Sequence, residues 1–161
     1  MKYQVKQKIF SFGDYFTIKN EFDDDVYIVR GKVFSFGKKL SIENLYGKEL
    51  VYIEQKLLKL LPQYAIYTDG REIATVKKEF SFFTPRFNIE SDMGEYRIEG
   101  EVFSHEFQIL KDGNVVGEVS KEWFSFSDAY GVNINDDENQ AFMLALVIVI
   151  DEVQTSNKSS S

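Results

Sequence analysis

No cysteine occurs anywhere in the 161 residues, which excludes disulfides and thiolate metal sites. Histidine occurs once, as His105, so any mechanism that needs a histidine base has a single candidate. An excess of positive charge is also missing. The chain has 19 basic and 26 acidic side chains, and its net charge of −7 argues against general nucleic-acid binding. No apolar run approaches the roughly 20 residues that a membrane-spanning helix needs. The longest, residues 141–150, is ten residues. Met1-Lys2-Tyr3-Gln4-Val5-Lys6 has no apolar signal segment, so the cytoplasm is the default expectation. Gly-x-Ser-x-Gly and P-loop patterns are absent as well.

Aromatic residues are abundant. The 15 Phe and 9 Tyr against 2 Pro favour strands, because aromatic rings fit a pleated, half-buried surface. They are also spaced regularly. Phe10-Ser11-Phe12, Phe34-Ser35-Phe36, Phe80-Ser81-Phe82 and Phe124-Ser125-Phe126 are copies of one step. Phe103-Ser104-His105 is a variant, and Leu57-Leu58 holds the place of a degenerate copy. Successive gaps are 24, 23, 23, 23 and 21 residues, the mark of one repeated supersecondary unit. The stretch Tyr27 to Ser35 matches Tyr96 to Ser104 at an offset of 69, or three periods. In the second stretch Tyr96, Ile98, Gly100 and Val102 alternate with Arg97, Glu99 and Glu101, which reads as a strand with one buried face.

A turn signal falls between successive steps: Asp23-Asp24-Asp25, Tyr46-Gly47-Lys48, Asp69-Gly70, Asp92-Met93-Gly94 and Asp112-Gly113. Each period is then a hairpin. Six hairpins predict about twelve antiparallel strands, closed into a barrel so that no edge is exposed. An eight-stranded barrel is already filled by its own side chains, so twelve strands leave an interior to fill. Residues 141–150 are apolar on every side, as a buried helix requires. Val147-Ile148-Val149-Ile150 alone would suit a buried strand equally well; the unfilled interior decides for a helix. A helix over about 138–153 spans roughly 24 Å, close to the length of the strands. Asp136 or Asp137 is expected to cap it, with Glu138 in the first turn. The predicted organisation is a single mainly β domain over 1–153 and a disordered polar tail over 154–161.

Hairpins with Phe-Ser steps, Asp-Gly turns and a final hydrophobic segment resemble the LURP-one-related family, over roughly residues 1–153. That family belongs to the tubby C-terminal-like superfamily, with the phospholipid scramblases. The resemblance implies a twelve-stranded barrel around a hydrophobic C-terminal helix. It also points to anionic membrane lipids, since tubby-like domains bind phosphoinositides through basic side chains outside the barrel. Scramblases are associated with lipid translocation and calcium.

Individual sites are sparse. His105 stands where other copies carry Phe, so a repeat-derived position explains it better than catalysis, and no enzyme activity is expected. Asp23-Asp24-Asp25 and Asn135-Asp136-Asp137-Glu138 are acidic, but neither has the ligand spacing of an EF-hand; they read as a turn and a helix cap. Neither a metal nor a cofactor is expected. Charge distribution is the one functional lead. Residues 1–80 carry 14 basic and 11 acidic side chains (+3), and residues 81–161 carry 5 and 15 (−10). Two places before each step stand Lys8, Lys32, Gln55, Lys78, Glu101 and Glu122. If equivalent positions share one level around the barrel, one arc of that level is basic and the opposite arc acidic. Arg30, Lys32, Lys38, Lys39, Lys56 and Lys78 are the candidate ligand-binding residues, with Lys59 and Lys77 beside them. Such an arc would attract anionic phospholipid headgroups or a phosphorylated ligand, at about 1 kcal/mol per basic side chain. The expected module is non-enzymatic, cytoplasmic or peripheral to a membrane, and neither transmembrane nor nucleic-acid-binding. The alternative is a protein-interaction or structural module that does not bind lipid. A wide apolar patch beside the basic arc would favour membranes.

Overall fold

Asp69 and Asp112, each followed by glycine, both adopt left-handed backbone, with φ of 51° and 49°; Gly70 and Gly113 follow at 77° and 86°. Two successive positive-φ residues make the tight hairpin whose twist matches paired strands, and glycine takes the second place without strain. Thr68 pairs with Arg71 and Lys111 with Asn114 across these two turns. Two longer turns are built on asparagine. Asn20 Oδ1 accepts the N–H groups of Phe22 and Asp24, and Asn44 Oδ1 those of Tyr46 and Lys48.

These turns connect the strands of a computed structural model that describes residues 1–6, 15–34, 37–123 and 128–159, without the side chains of 32–34 and 155–159. In chain order the strands are β1 (Lys2–Lys6), β2 (Tyr15–Asn20), β3 (Asp25–Phe34), β4 (Gly37–Glu43), β5 (Glu49–Gln55) and β6 (Gln63–Thr68). They continue with β7 (Arg71–Glu79), β8 (Arg86–Ser91), β9 (Gly94–Glu101), β10 (Glu106–Lys111), β11 (Asn114–Ser120) and β12 (Ala129–Ile134). Each is antiparallel to its neighbours. The circle closes where β1 meets β12, from Lys2↔Asn133 to Lys6↔Ala129. The expected twelve-stranded mainly β barrel is therefore borne out, and the charge asymmetry along the chain maps directly onto its circumference.

The helix α1, Gln140–Ser159, fills the interior. Every residue from Ala141 to Ile150 is buried, and so is Val153. Inward residues of the strands surround it, among them Val5, Ile18, Ile42, Ile53, Ile66, Ile89, Ile109 and Val132. Four inward tyrosines are almost wholly buried, two near each end of the helix. Tyr3 Oη donates to Gln140 Oε1 at 3.0 Å and Tyr96 Oη to Glu138 Oε2 at 3.2 Å, at the end where α1 enters. Burial raises the pKa of both phenols, so they act as donors. Among the described residues no helix is long and apolar enough to cross a membrane.

The ends of α1 differ from the expected 138–153. Asn139 is the cap, its Oδ1 accepting the Phe142 N–H at 3.0 Å. Asp136 instead holds the N-terminal ammonium of Met1 at 2.8 Å, and Glu138, outside the first turn, meets Lys111 at 3.4 Å. At the other end the helix continues through 154–159, read from the sequence as tail. Residues 160–161 lie outside the described set.

Candidate functional site

The barrel has two unlike ends. One carries the tight turns and the start of α1. The other carries the connections 56–62 and 80–85, the short 3-10 turn Val102–Ser104, and the emerging C-terminal part of α1. The aromatic steps that are described, Phe80-Ser81-Phe82 and Phe103-Ser104, stand at this second end, as corners of the barrel. Phe10-Ser11-Phe12, Ser35-Phe36 and Phe124-Ser125-Phe126, with Lys8, lie outside the described residues.

The six candidate basic residues do not form one surface. On β3 and β4, Val29, Leu40 and Ile42 point inward, so Arg30 and Lys39 point outward and Lys38 points into the barrel mouth. Arg30 Nε donates to Glu43 Oε2 at 2.5 Å, and its guanidinium lies 5.4 Å from the centre of the Tyr15 ring. Lys39 Nζ is 3.8 Å from Glu54 Oε1. Lys56 Nζ donates to Glu72 Oε1 at 3.0 Å, and this bond, with one from Thr75, holds the Glu72 carboxyl below its ordinary range. Lys38 Nζ donates to Glu152 Oε2 at 2.6 Å, where the Glu152 side chain is only 5% exposed. Burial pushes the Glu152 pKa up, against the pull of Lys38. Lys78 is half-buried on the inward register of β7, opposite the buried Phe87. Lys32 stands opposite Lys39 in register; its side chain is not described.

The described equivalents Lys32, Gln55, Lys78 and Glu101 share one level, near the ends of β3, β5, β7 and β9, but they do not share one facing. Lys78 follows Ala74 and Val76 on the inner face, whereas Glu101 shares the outer register of Glu99. No register shift separates them: Lys78 pairs with Phe87 and Ile89 with Tyr96, so the inner face runs through Tyr96 and Ile98, and Glu101, an odd 23 residues after Lys78, falls on the outer side.

His105 is enclosed. It is 3% exposed, its ring stacks on Tyr130 with centres 4.5 Å apart, and its Nε2 lies 2.8 Å from Asp151 Oδ1. It therefore braces the C-terminal part of α1 against the wall. Among the described residues no group of three or more His, Asp or Glu side chains gathers around a common point.

One feature of the second end was not drawn from the sequence: it is rimmed with exposed apolar side chains. Leu57, Leu58, Leu60 and Leu61 project from connection 56–62, and Phe80, Phe82 and Phe83 from connection 80–85. Leu58 and Leu60 are fully exposed, Phe82 is 85% exposed and Phe83 94%. Phe103 and Trp123 continue the rim, each partly covered. The first two connections are neighbours, because β6 and β7 meet in a tight turn at the far end. Their bases are tied where Lys78 N–H donates to Pro62 O at 2.9 Å, and Phe80 and Phe82 pack edge to face, 5.2 Å apart. Lys56, Lys59, Lys77, Lys78 and Arg86 lie in or beside them. A legible signal existed in Lys56-Leu57-Leu58-Lys59-Leu60-Leu61-Pro62, an apolar run with no strand period.

Comparison with other proteins agrees with this architecture. The Bacillus subtilis (strain 168) protein YxjI, itself uncharacterized, is 37% identical over 157 residues, covering 98% of this chain and 96% of its own length. The X-ray structure of the Arabidopsis thaliana protein AT5G01750 is similar in fold, with a TM-score of 0.68 at 15% identity, over 94% of this chain and 91% of that one. The family model described as LURP-one-related matches residues 1–151. With the barrel, its central helix and these matches in agreement, the chain belongs to the LURP-one-related family.

Proposed function

We propose that this chain is a non-enzymatic module that docks peripherally on anionic phospholipid surfaces through the rim at the second end of the barrel. The rim carries the reading. Four or more leucine and phenylalanine side chains project beyond the barrel wall with lysines between and behind them. Burying one such side chain contributes roughly 1.5–3 kcal/mol, and each lysine near an anionic surface about 1 kcal/mol. A few of each suffice for reversible attachment. This reading moves the contact surface. Lys59, Lys77 and Arg86 join Lys56 and Lys78 near the bilayer; Arg30, Lys32 and Lys39 on the wall contribute at longer range. Lys38 serves the fold, through Glu152. Pairing of Lys56 with Glu72 is no obstacle, because ion pairs at this exposure are worth about 1 kcal/mol or less. The enclosure of His105 supports a role without catalysis.

Flotation with phosphatidylcholine vesicles, with and without phosphatidylserine, tests the proposal. The protein should float with the anionic vesicles and lose most of that binding in Leu58→Ser/Leu60→Ser/Phe83→Ser, whose changes are confined to exposed loops. Equal binding by this variant would reject the rim, and absence of flotation would reject lipid binding. A change in oligomeric mass in the same variant, without flotation of either protein, would identify the rim as a protein contact.

A further inference from the structure

The barrel wall is not equally closed all the way round. Strands β7 and β8 pair continuously from Ala74↔Ser91 to Glu79↔Arg86, and β9 and β10 from Lys111↔Tyr96 to Glu106↔Glu101. Between them, β8 and β9 pair only at Ser91↔Gly94, Glu90↔Glu95 and Ile89↔Tyr96. Continued register would join Asn88 to Arg97, Phe87 to Ile98 and Arg86 to Glu99, but the ladder stops short of them. The β1–β2 ladder is shorter still, but it adjoins residues outside the described set.

Three observations show that the β8–β9 seam is open. A cleft of about 590 Å³ lies along it, bordered by Glu79, Arg86, Asn88, Glu90, Arg97 and Glu99 among others. Solvent reaches the inner face through it: Ile98 is only half-buried, whereas its inward neighbours Ile89 and Ile109 are 1% and 0% exposed. Finally, β9 is drawn towards its other neighbour. Gly100 has φ of +122°, and a Cβ there would lie 2.7 Å from Glu106 O and 2.9 Å from Phe107 Cα. Glycine allows this close approach, which holds the end of β9 against β10 and away from β8.

We propose that the seam between β8 and β9 takes up an extended peptide with basic side chains by strand addition. Main-chain groups of 86–88 and 97–101 that would face across the seam have no ladder partner there, and such an edge is a template for another strand. Three to five residues fit its length, at roughly 3.3 Å each. Charge selects the occupant. Glu79, Glu90, Glu95 and Glu99 outnumber Arg86 and Arg97, and Arg97 Nη2 lies 3.5 Å from Glu99 Oε1. Beyond Glu99 the next groove adds Glu106, Glu118 and the edge of Trp123. This is the acidic arc, so the proposal is independent of lipid binding at the rim.

The probe is a fluorescein-labelled peptide of alternating lysine and valine, measured by anisotropy at low salt, with backbone amide exchange of the protein followed by NMR. Saturable binding is expected, with slowed exchange confined to residues 86–88 and 97–101. A central proline in the peptide, or Glu90→Lys/Glu99→Lys in the protein, should weaken binding at least about tenfold. The glutamates are exposed, so that variant should fold as the parent does. No binding would overturn the proposal. So would binding that tolerates the proline, or that protects amides elsewhere on the acidic arc, since either would mean charge attraction without strand pairing.

Discussion

At the residue scale, Lys38 and Glu152 show how a strand sorts its basic side chains. Lys38 and Lys39 are adjacent in sequence and both belong to the basic arc by charge count. Successive residues of a strand face opposite ways, so Lys39 lies on the outer wall beside Glu54 and Lys38 meets Glu152 inside the barrel mouth. Sequence alone showed the two charges, but not which inward carboxylate would claim one of them, because Glu152 comes from α1, 114 residues away. The Glu152 pKa is raised in the folded chain, mainly by burial. The folded state therefore holds the Glu152 proton more tightly than the unfolded state. Its contribution to stability is present below the ordinary glutamate pKa and is lost as pH rises through the folded value. Lys38→Met removes the ammonium that opposes this shift. The variant should lose roughly 3 kcal/mol at neutral pH, in keeping with the breaking of a buried pair. Its deficit should narrow towards pH 4. Urea midpoints of both proteins across that range would measure it; a deficit independent of pH would mean that Lys38 contributes packing alone.

At the scale of elements, α1 was legible because a ten-residue run apolar on every side needs an interior, and a twelve-stranded barrel supplies one. Its β-branched residues, which suit a strand in isolation, were overridden by that environment. Its boundaries were less legible. Asp136, Asp137 and Asn139 are all good caps by type, and the choice among them was made by tertiary contact. Asp136 is held by the chain's own N-terminus, Glu138 by Tyr96 and Lys111, and Asn139 is left in register with Phe142. Asn139→Ala should therefore cost about 1 kcal/mol, and Asp137→Ala close to nothing. Equal losses in thermal melts would contradict the assignment. The C-terminal turns of α1 had no apolar period to announce them; they extend a helix already nucleated in the core, where adding a residue costs little.

At the scale of the whole molecule, the repeat of about 23 residues gave strand number, order and closure, because a fixed period reports supersecondary units directly. It also located the two aromatic corners among the described residues, at Phe80-Ser81-Phe82 and Phe103-Ser104. It failed as a guide to facing, since strands alternate with a period of two and 23 is odd, so Lys78 and Glu101, one period apart across unshifted ladders, face opposite ways. Nor could it show that the connections at one end turn leucine and phenylalanine outward, because exposure in a connection depends on what lies beside it in space. That rim carries the central claim, that the second end of the barrel enters an anionic bilayer. The chain's one tryptophan, Trp123, lies at the rim's edge and can be replaced by phenylalanine to give a silent background. In that background Phe83→Trp places a reporter at the most exposed aromatic of the 80–85 connection. With phosphatidylserine vesicles that contain phospholipids brominated along their acyl chains, its fluorescence should be strongly quenched and shifted to the blue. A tryptophan that stays unquenched, at its emission wavelength in water, with protein bound to the same vesicles, would contradict the claim.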